Sequence, residues 1–419
     1  MKSSTNEHIW YPFYQAKVES PPIKITHAEG VILTDADGKT YIDVNSSWWV
    51  NVHGHGRKEI KEAIAKQFEK IDHIMLSGFT HEPAELLSEK IVSLLGKPFQ
   101  KVFFSDNGST SVEVALKMAI QYFYNRGETR KKIVAFEGAY HGDTFGAMAM
   151  GQRGYFNKPF ESYFFDVEFL PLPNEGNLDM CLNQALKLAK DRDVLAFIAE
   201  PLVQGAAGMC MYSSDMLDAI CQIFKDSGAR IVFDEVMTGW GRLGTLFAMN
   251  QCSVLPDIIC LSKGLTGGVL PLGLTVATQE IFDAFDVPDK TKALLHGHSY
   301  TGNPLSCSAA LASLDIFEKE ETKANIRRVS HKMSTFVDRL KMNKKFFNAR
   351  SCGTIFAVEL FNENTYFAEH RNKIYQHFIH NGILCRPLGS NVFFNPPYVI
   401  SDVELEHCFD VLLKFHAEH

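Results

Sequence analysis

Residues 231–268 read IVFDEVMTGWGRLGTLFAMNQCSVLPDIICLSKGLTGG. Two short apolar runs stand in this stretch, IVFDEV (231–236) and DIICLS (257–262), and each delivers a chemically capable group at its end: Asp234 with Glu235, then Lys263 before a glycine-rich turn. Short β-branched runs bounded by turn residues are strands of a sheet covered on both faces. Ligands of such sheets gather beyond the carboxyl ends of the strands, so the acid and the lysine both stand at site positions. The pattern continues outward from Lys101 to Ala277 through VFFS (102–105), IVAFE (133–137), LAFIAEPL (195–202) and LGLTVAT from Leu272, alternating with helical stretches. The predicted fold class is therefore α/β, with a mostly parallel sheet flanked by helices.

The clearest helix follows Gly108, where Val112, Ala115, Leu116, Ala119, Ile120 and Phe123 share one face, and Thr110 with Glu113 spells a capping box. After a helical stretch near Ala309–Lys319 the texture changes to TIFAVEL, a polar helix around Tyr366–Asn381, ILCRPLG, VFFNPP and a last helix from Asp402. We read a smaller α+β domain there, joined by the N-terminal segment. The expected division is residues 1–55 with the small domain, 56–310 as the large cofactor-binding domain and 311–419 as the C-terminal small domain.

Composition narrows the function. The chain has 419 residues, 46% of them apolar, and 42 basic against 49 acidic residues give a net charge of -7, with no basic run to track a phosphate backbone or an anionic membrane. Nucleic acid and membranes are not expected partners. Nine cysteines, none before Cys181 and none in a Cys-x-x-Cys pair, fit neither a disulfide framework nor a zinc ribbon. With no signal-peptide pattern in MKSSTNEHIWYPF, a cytoplasmic location is the expectation.

A lysine and an acid at neighbouring strand ends suit pyridoxal phosphate chemistry, in which the lysine amine condenses with the cofactor aldehyde and the carboxylate keeps the pyridine nitrogen protonated. A phosphate needs an anion site, and Asp106-Asn107-Gly108-Ser109-Thr110 offers small residues and backbone N–H groups where the clearest helix begins. The loop Tyr140-His141-Gly142-Asp143 sets an aromatic ring at another strand end, where it can stack on a flat cofactor. Glu200 ends LAFIAE in the same topological position, with Gln204-Gly205 close behind it. Two patterns point elsewhere. Gly239-Trp240-Gly241-Arg242-Leu243-Gly244 spells the dinucleotide fingerprint of a nicotinamide oxidoreductase, but the nearest acid downstream, Asp257, starts a strand instead of ending one. His53-x-His55 and His296-x-His298 have metal-like spacing without a nearby third ligand, so no metal is expected.

The ordered set DNGSTSVEVALKMAIQYF, YHGDTFGAM, EPLVQGAAGM, DEVMTGWGRLGTLFA, LSKGLTGG and HGHSYTGNP resembles the class III pyridoxal-phosphate aminotransferases of fold type I, from Trp10 almost to the C-terminus. The resemblance implies Lys263 as the cofactor lysine, Asp234 as partner of the pyridine nitrogen, Gly108 and Ser109 at the phosphate, and Tyr140 and Val236 on the two ring faces, with Glu200 beside them. It also implies a homodimer in which Ser299 reaches the neighbouring subunit's phosphate. Within the class, HIWYPF, SSWWVNVHGHG and the Arg386-Pro387-Leu388-Gly389 turn resemble the branch that aminates 8-amino-7-oxononanoate in biotin synthesis. That implies Phe13, Trp48, Trp49, Tyr140, Gly297 and Arg386 around the substrate, and S-adenosylmethionine or lysine as amino donor. Phe13 stands where many members carry tyrosine, and His298-Ser299 replaces a common Pro-Thr pair; both match the branch thought to use lysine.

Overall fold

The computed structural model describes residues 6, 8–362 and 369–418, with the side chains of 369 and 416–418 left aside. A seven-stranded sheet forms the centre: β1 (Phe99–Ser105), β2 (Lys132–Phe136), β3 (Val167–Leu170), β4 (Val194–Ala199), β5 (Arg230–Asp234), β6 (Ile258–Leu261) and β7 (Gly273–Thr278). Their spatial order is β1-β7-β6-β5-β4-β2-β3, and β7 alone runs against the rest. All six residues of β4 are buried, which is why its sequence shows no polar alternation. The sheet bears out the α/β reading, and the match to the expected strands holds within two or three residues at each end. β3 is the strand that the pattern did not announce: VEFL is a four-residue edge strand with an exposed Glu168, too short and too polar on one side to stand out.

Gly108–Asn125 forms the helix α1, as its apolar spacing predicts. Its cap differs from the expected one. Asn107 is the N-cap, its Oδ1 accepting the Thr110 N–H at 3.0 Å while the Thr110 Oγ1 accepts the Asn107 N–H at 3.1 Å, so the reciprocal pair sits one turn earlier than Thr110–Glu113. Glu113 is inside the helix and instead accepts from the Thr144 hydroxyl at 2.6 Å and the Ala147 N–H at 2.9 Å.

The remaining sheets are small. Ile25–Glu29, Ile32–Asp35 and Thr40–Asp43 form an antiparallel meander to which Ile383–Leu384 adds in parallel, so the two ends of the chain share one sheet. Phe347–Cys352, Ile355–Glu359 and Asn391–Phe394 form a second antiparallel sheet. Helix Glu320–Lys341 covers it with Ile326, Val329, Met333, Phe336, Val337 and Leu340, one stripe at helical spacing. Phe336 and Phe409 stack at 3.8 Å in a core that also takes in Val31 and Val44 from the N-terminal segment. The expected helix around Tyr366–Asn381 is Glu369–His380; residues 366–368 lie outside the described residues. Among the described residues no helix is long and apolar enough to cross a membrane.

Candidate active site

A cleft of about 620 Å³ opens at the carboxyl edge of the central sheet. Its floor is made by the residues that leave β5 and β6, one wall by the start of α1, the other by the N-terminal segment and the turn at Trp48 and Trp49.

Lys263 stands one residue past Ser262 at the end of β6, in a left-handed backbone conformation (φ 47°) that costs a non-glycine residue about 1–3 kcal/mol. The surroundings hold it there. The Ser262 carbonyl accepts from the Trp240 indole N–H at 2.9 Å, the Ser262 hydroxyl donates to the Leu272 carbonyl at 2.7 Å, and Gly268 (φ +80°) faces Val50 so closely that an added Cβ would lie 2.8 Å from the Val50 backbone. The Lys263 Nζ lies 4.6 Å from the centre of the Trp49 ring. Burial lowers its pKa from 10.5 to about 8, an effect that the charges of Asp234 and Glu200 oppose.

Asp234 is the last residue of β5 and is 4% exposed. Its Oδ2 faces His141 Nδ1 at 2.8 Å and its Oδ1 accepts the Val236 N–H at 3.1 Å. Val236 packs against the start of α1 so closely that a Cβ on Gly108 would lie 2.6 Å from its Cγ1. Glycine is thus required at 108 for contact, not for φ. Across the cleft, Tyr140 presents its ring, and burial raises its hydroxyl pKa. Its backbone N–H is held by Glu200 Oε1 at 3.0 Å, while Glu200 Oε2 accepts from the Gly205 N–H at 3.0 Å. Burial pushes Glu200 up to about 7. The Gly108 and Ser109 N–H groups, in the first turn of α1, have no intrahelical acceptor and border the cleft, the usual form of a helix anion site.

The substrate-side residues separate into two groups. Phe13, Trp48 and Trp49 line the cleft together with Phe156. Arg386 stands at its rim, 5.1 Å from the Trp48 ring, with Nη2 donating to the Phe13 carbonyl at 3.4 Å. Trp48 is exposed and Trp49 buried. The two face apart because Ser46–Trp49 is a kinked turn with positive φ at Ser46, Ser47 and Trp49. Gly297 and Ser299 are exposed on their own chain and are not brought to its cleft.

The diverting motifs are structural. Trp240 and Arg242, inside the Gly239–Gly244 pattern, are both 1% exposed, and the Arg242 guanidinium donates to the Pro396 carbonyl at 2.8 Å and to the Trp49 carbonyl at 3.4 Å. His53 Nε2 lies 2.9 Å from the Ser313 hydroxyl and His55 Nε2 3.1 Å from Asp43, while His296 Nδ1 meets Lys117 and His298 Nδ1 accepts from the Tyr300 N–H. Glu235, adjacent to Asp234, accepts the Ala248 and Met249 N–H groups at 2.7 Å each and is turned away from the cleft. The residue that pattern reading left without a role is His141. Its signal was present: it follows Tyr140 directly in a turn at a strand end.

An amine and a carboxylate at adjacent carboxyl ends of one sheet, facing a helix N-terminus, are the groups that a fold type I site for pyridoxal 5'-phosphate needs. The chain belongs to the class III aminotransferases: the family model Aminotransferase class-III matches residues 13–415. It is 43% identical over 417 residues, 97% of each chain, to the adenosylmethionine-8-amino-7-oxononanoate aminotransferase of Synechococcus elongatus. The Helicobacter pylori protein of the same name is 35% identical, covering 98% of this chain and 96% of its own. Among solved structures, the enzyme of that name from Methanocaldococcus jannaschii superposes with a TM-score of 0.93 at 36% identity, over 98% of this chain and 97% of that one. A PLP-bound amine transaminase from an uncultivated Pseudomonas species gives 0.91 at 27% identity over 99% of both.

Proposed function

We propose that this chain transfers an amino group to 8-amino-7-oxononanoate, producing 7,8-diaminononanoate for biotin synthesis, with S-adenosylmethionine as donor. The observation that carries the reading is the 43% identity to the Synechococcus elongatus enzyme across 97% of both chains. The cleft suits such an acceptor: Phe13, Trp48 and Phe156 make an apolar wall, and a guanidinium stands at its rim.

When bound, pyridoxal phosphate supplies an aldehyde for amine exchange and a protonated ring that takes up the electron pair left when a C–H proton is removed. The chain's own groups do the rest. Lys263 would hold the cofactor through its amine and, when that amine is free, would move a proton between the two carbons. Asp234, oriented by His141 and the Val236 N–H, keeps the ring nitrogen protonated. Gly108 and Ser109 would hold the phosphate and Tyr140 and Val236 would flank the ring, while Glu200 fixes the Tyr140 backbone. The unit is a homodimer in which Ser299 and Gly297, exposed on their own chain, serve the neighbouring site. We take residues 1–55 with 311–419 as the small domain around 56–310. The shared sheet of Ile42 with Ile383 supports the joining of the two end segments; helix Pro304–Glu318 runs across residue 311, so a boundary at Lys319 suits the helices better than one at 311.

The donor is tested by a half-reaction. S-adenosylmethionine alone should bleach the yellow holoenzyme in a single turnover; bleaching by lysine and not by S-adenosylmethionine would replace the donor and leave the acceptor reading standing. Arg386→Ala should raise the KM for the amino-ketone about 10- to 100-fold with little change in kcat, the loss of one charge-assisted bidentate contact. Arg386→Lys should recover little of it, since an ammonium cannot make the two-pronged contact.

The Lys263 pKa of about 8 sets a pH profile for cofactor capture by the apo-protein. The neutral amine is the nucleophile, so capture should fall about tenfold per pH unit well below 8 and level off above it. Stopped-flow absorbance between pH 6 and 10 reads this midpoint; a value near 10.5 would mean an amine untouched by burial.

A further inference from the structure

Arg386 is the one charged group of the proposed carboxylate contact, and its side chain is held by an aromatic face and a single carbonyl. The firmer hold is on its backbone. The Arg386 N–H donates to Asn45 Oδ1 at 2.6 Å, and the Asn45 Nδ2 donates to the Phe393 carbonyl at 3.3 Å. Asn45 is 2% exposed and does not line the cleft. It lies directly before the strained turn that presents Trp48 and Trp49. That turn is itself tied down on the same side: the fully buried Asp43 accepts the Asn45 N–H at 3.1 Å, the Ser47 N–H at 2.7 Å and the Ser47 hydroxyl at 3.2 Å, with His55 Nε2 donating to it at 3.1 Å. The backbone pairing runs alongside, Leu384 opposite Asp43 and the Asn395 N–H donating to the Val44 carbonyl at 2.7 Å.

We propose that Asn45 is a positioning residue that couples the Trp48–Trp49 turn to Arg386, so that the apolar wall and the carboxylate-binding guanidinium are presented at one fixed separation. Two elements some 340 residues apart in the chain must agree to about half an ångström for a long substrate to reach from the reacting carbon to its distal carboxylate. Among the described residues, one side-chain amide, that of Asn45, bridges them directly at the Arg386 backbone. Asn45 therefore selects for acceptors with a carboxylate at the right distance and contributes nothing to the proton transfer.

The inference rests on the proposed carboxylate role of Arg386, and a double-mutant cycle on the holoenzyme separates the two. Asn45→Ala should raise the KM for 8-amino-7-oxononanoate about tenfold while kcat changes less than twofold, and the KM for an amino-ketone of like length without the carboxylate should not move. In an Arg386→Ala background the Asn45→Ala effect should vanish, because the group it positions is gone. If Arg386→Ala alone leaves the KM unchanged, the carboxylate reading fails. If Arg386→Ala raises KM but Asn45→Ala does not, or raises it equally in both backgrounds or for both ketones, the positioning role is overturned. Should Asn45→Ala not yield folded, yellow protein, Asn45→Ser removes the amide bridge but leaves a hydroxyl in the buried site: the same rise in KM for the carboxylate-bearing ketone alone is then expected, and no rise, or an equal rise for both ketones, overturns the proposal.

Discussion

Lys263→Ala is expected to lower turnover by at least about 10⁴-fold, since in the proposed mechanism it removes both the cofactor's covalent anchor and the group that moves the substrate proton. The chain should fold as well as before. Burial disfavours the charged amine, lowering its pKa from 10.5 to about 8, so its loss is expected to leave Tm unchanged or raised at neutral pH. The sign of the pH dependence follows. Between about 8 and 10.5 the unfolded chain binds more protons at this lysine than the folded one, so wild-type stability gains a contribution as pH rises through that window, and the variant lacks it. Activity assays and thermal melts across pH 7–10.5 measure both effects. The assignment itself is checked by borohydride reduction of wild-type holoenzyme, digestion and mass spectrometry: a pyridoxyl label on any other lysine removes Lys263 from the role.

The second large effect is expected at Asp234. Asp234→Asn should retain bound cofactor and lose at least about 100-fold in kcat, because a ring that is not held protonated is a poor acceptor for the electron pair. The neighbours make asparagine awkward as well as neutral. Val236 N–H and His141 Nδ1 approach the two carboxylate oxygens, and an amide, with a single accepting oxygen, can accept at only one of these positions. The change also removes a negative charge that raises the Lys263 pKa, so the midpoint of cofactor capture should move below about 8. Near-normal kcat with full cofactor occupancy in the variant would take Asp234 out of the mechanism; an unmoved capture midpoint would mean that its charge is not felt at Lys263.

Lys263 and Asp234 were legible because strand-end position follows from a local pattern. An apolar run that stops at a polar residue places that residue at the edge of a parallel sheet, whatever the rest of the chain does. The start of α1 was legible for the same reason, and the error there was one of register. Asn107 and Thr110 cap each other reciprocally, and Glu113, at the spacing that suggested the box, bonds to Thr144 and Ala147 across a neighbouring turn. That partner lies outside any local window. The pairing of His141 with Asp234, 93 residues apart, was hidden likewise, although Tyr140 beside it was visible.

Read alone, then, the residues determine six of the seven strands of the central sheet and the acid and amine that follow two of them, which depend on periodicity and nearest neighbours along the chain; the class of chemistry came from the resemblance carried by the ordered motifs. Tertiary structure decided what depends on distant backbones meeting. It turned Trp48 outward and Trp49 under Lys263 through three left-handed residues that no strand pattern allows, and buried Arg242 of the dinucleotide-like motif against the Pro396 and Trp49 carbonyls. It also hung Arg386 on Asn45, across 341 residues. Such positions are set by the hydrogen bonds that buried backbone and side-chain groups must find once water is gone, and those partners exist only in the folded chain.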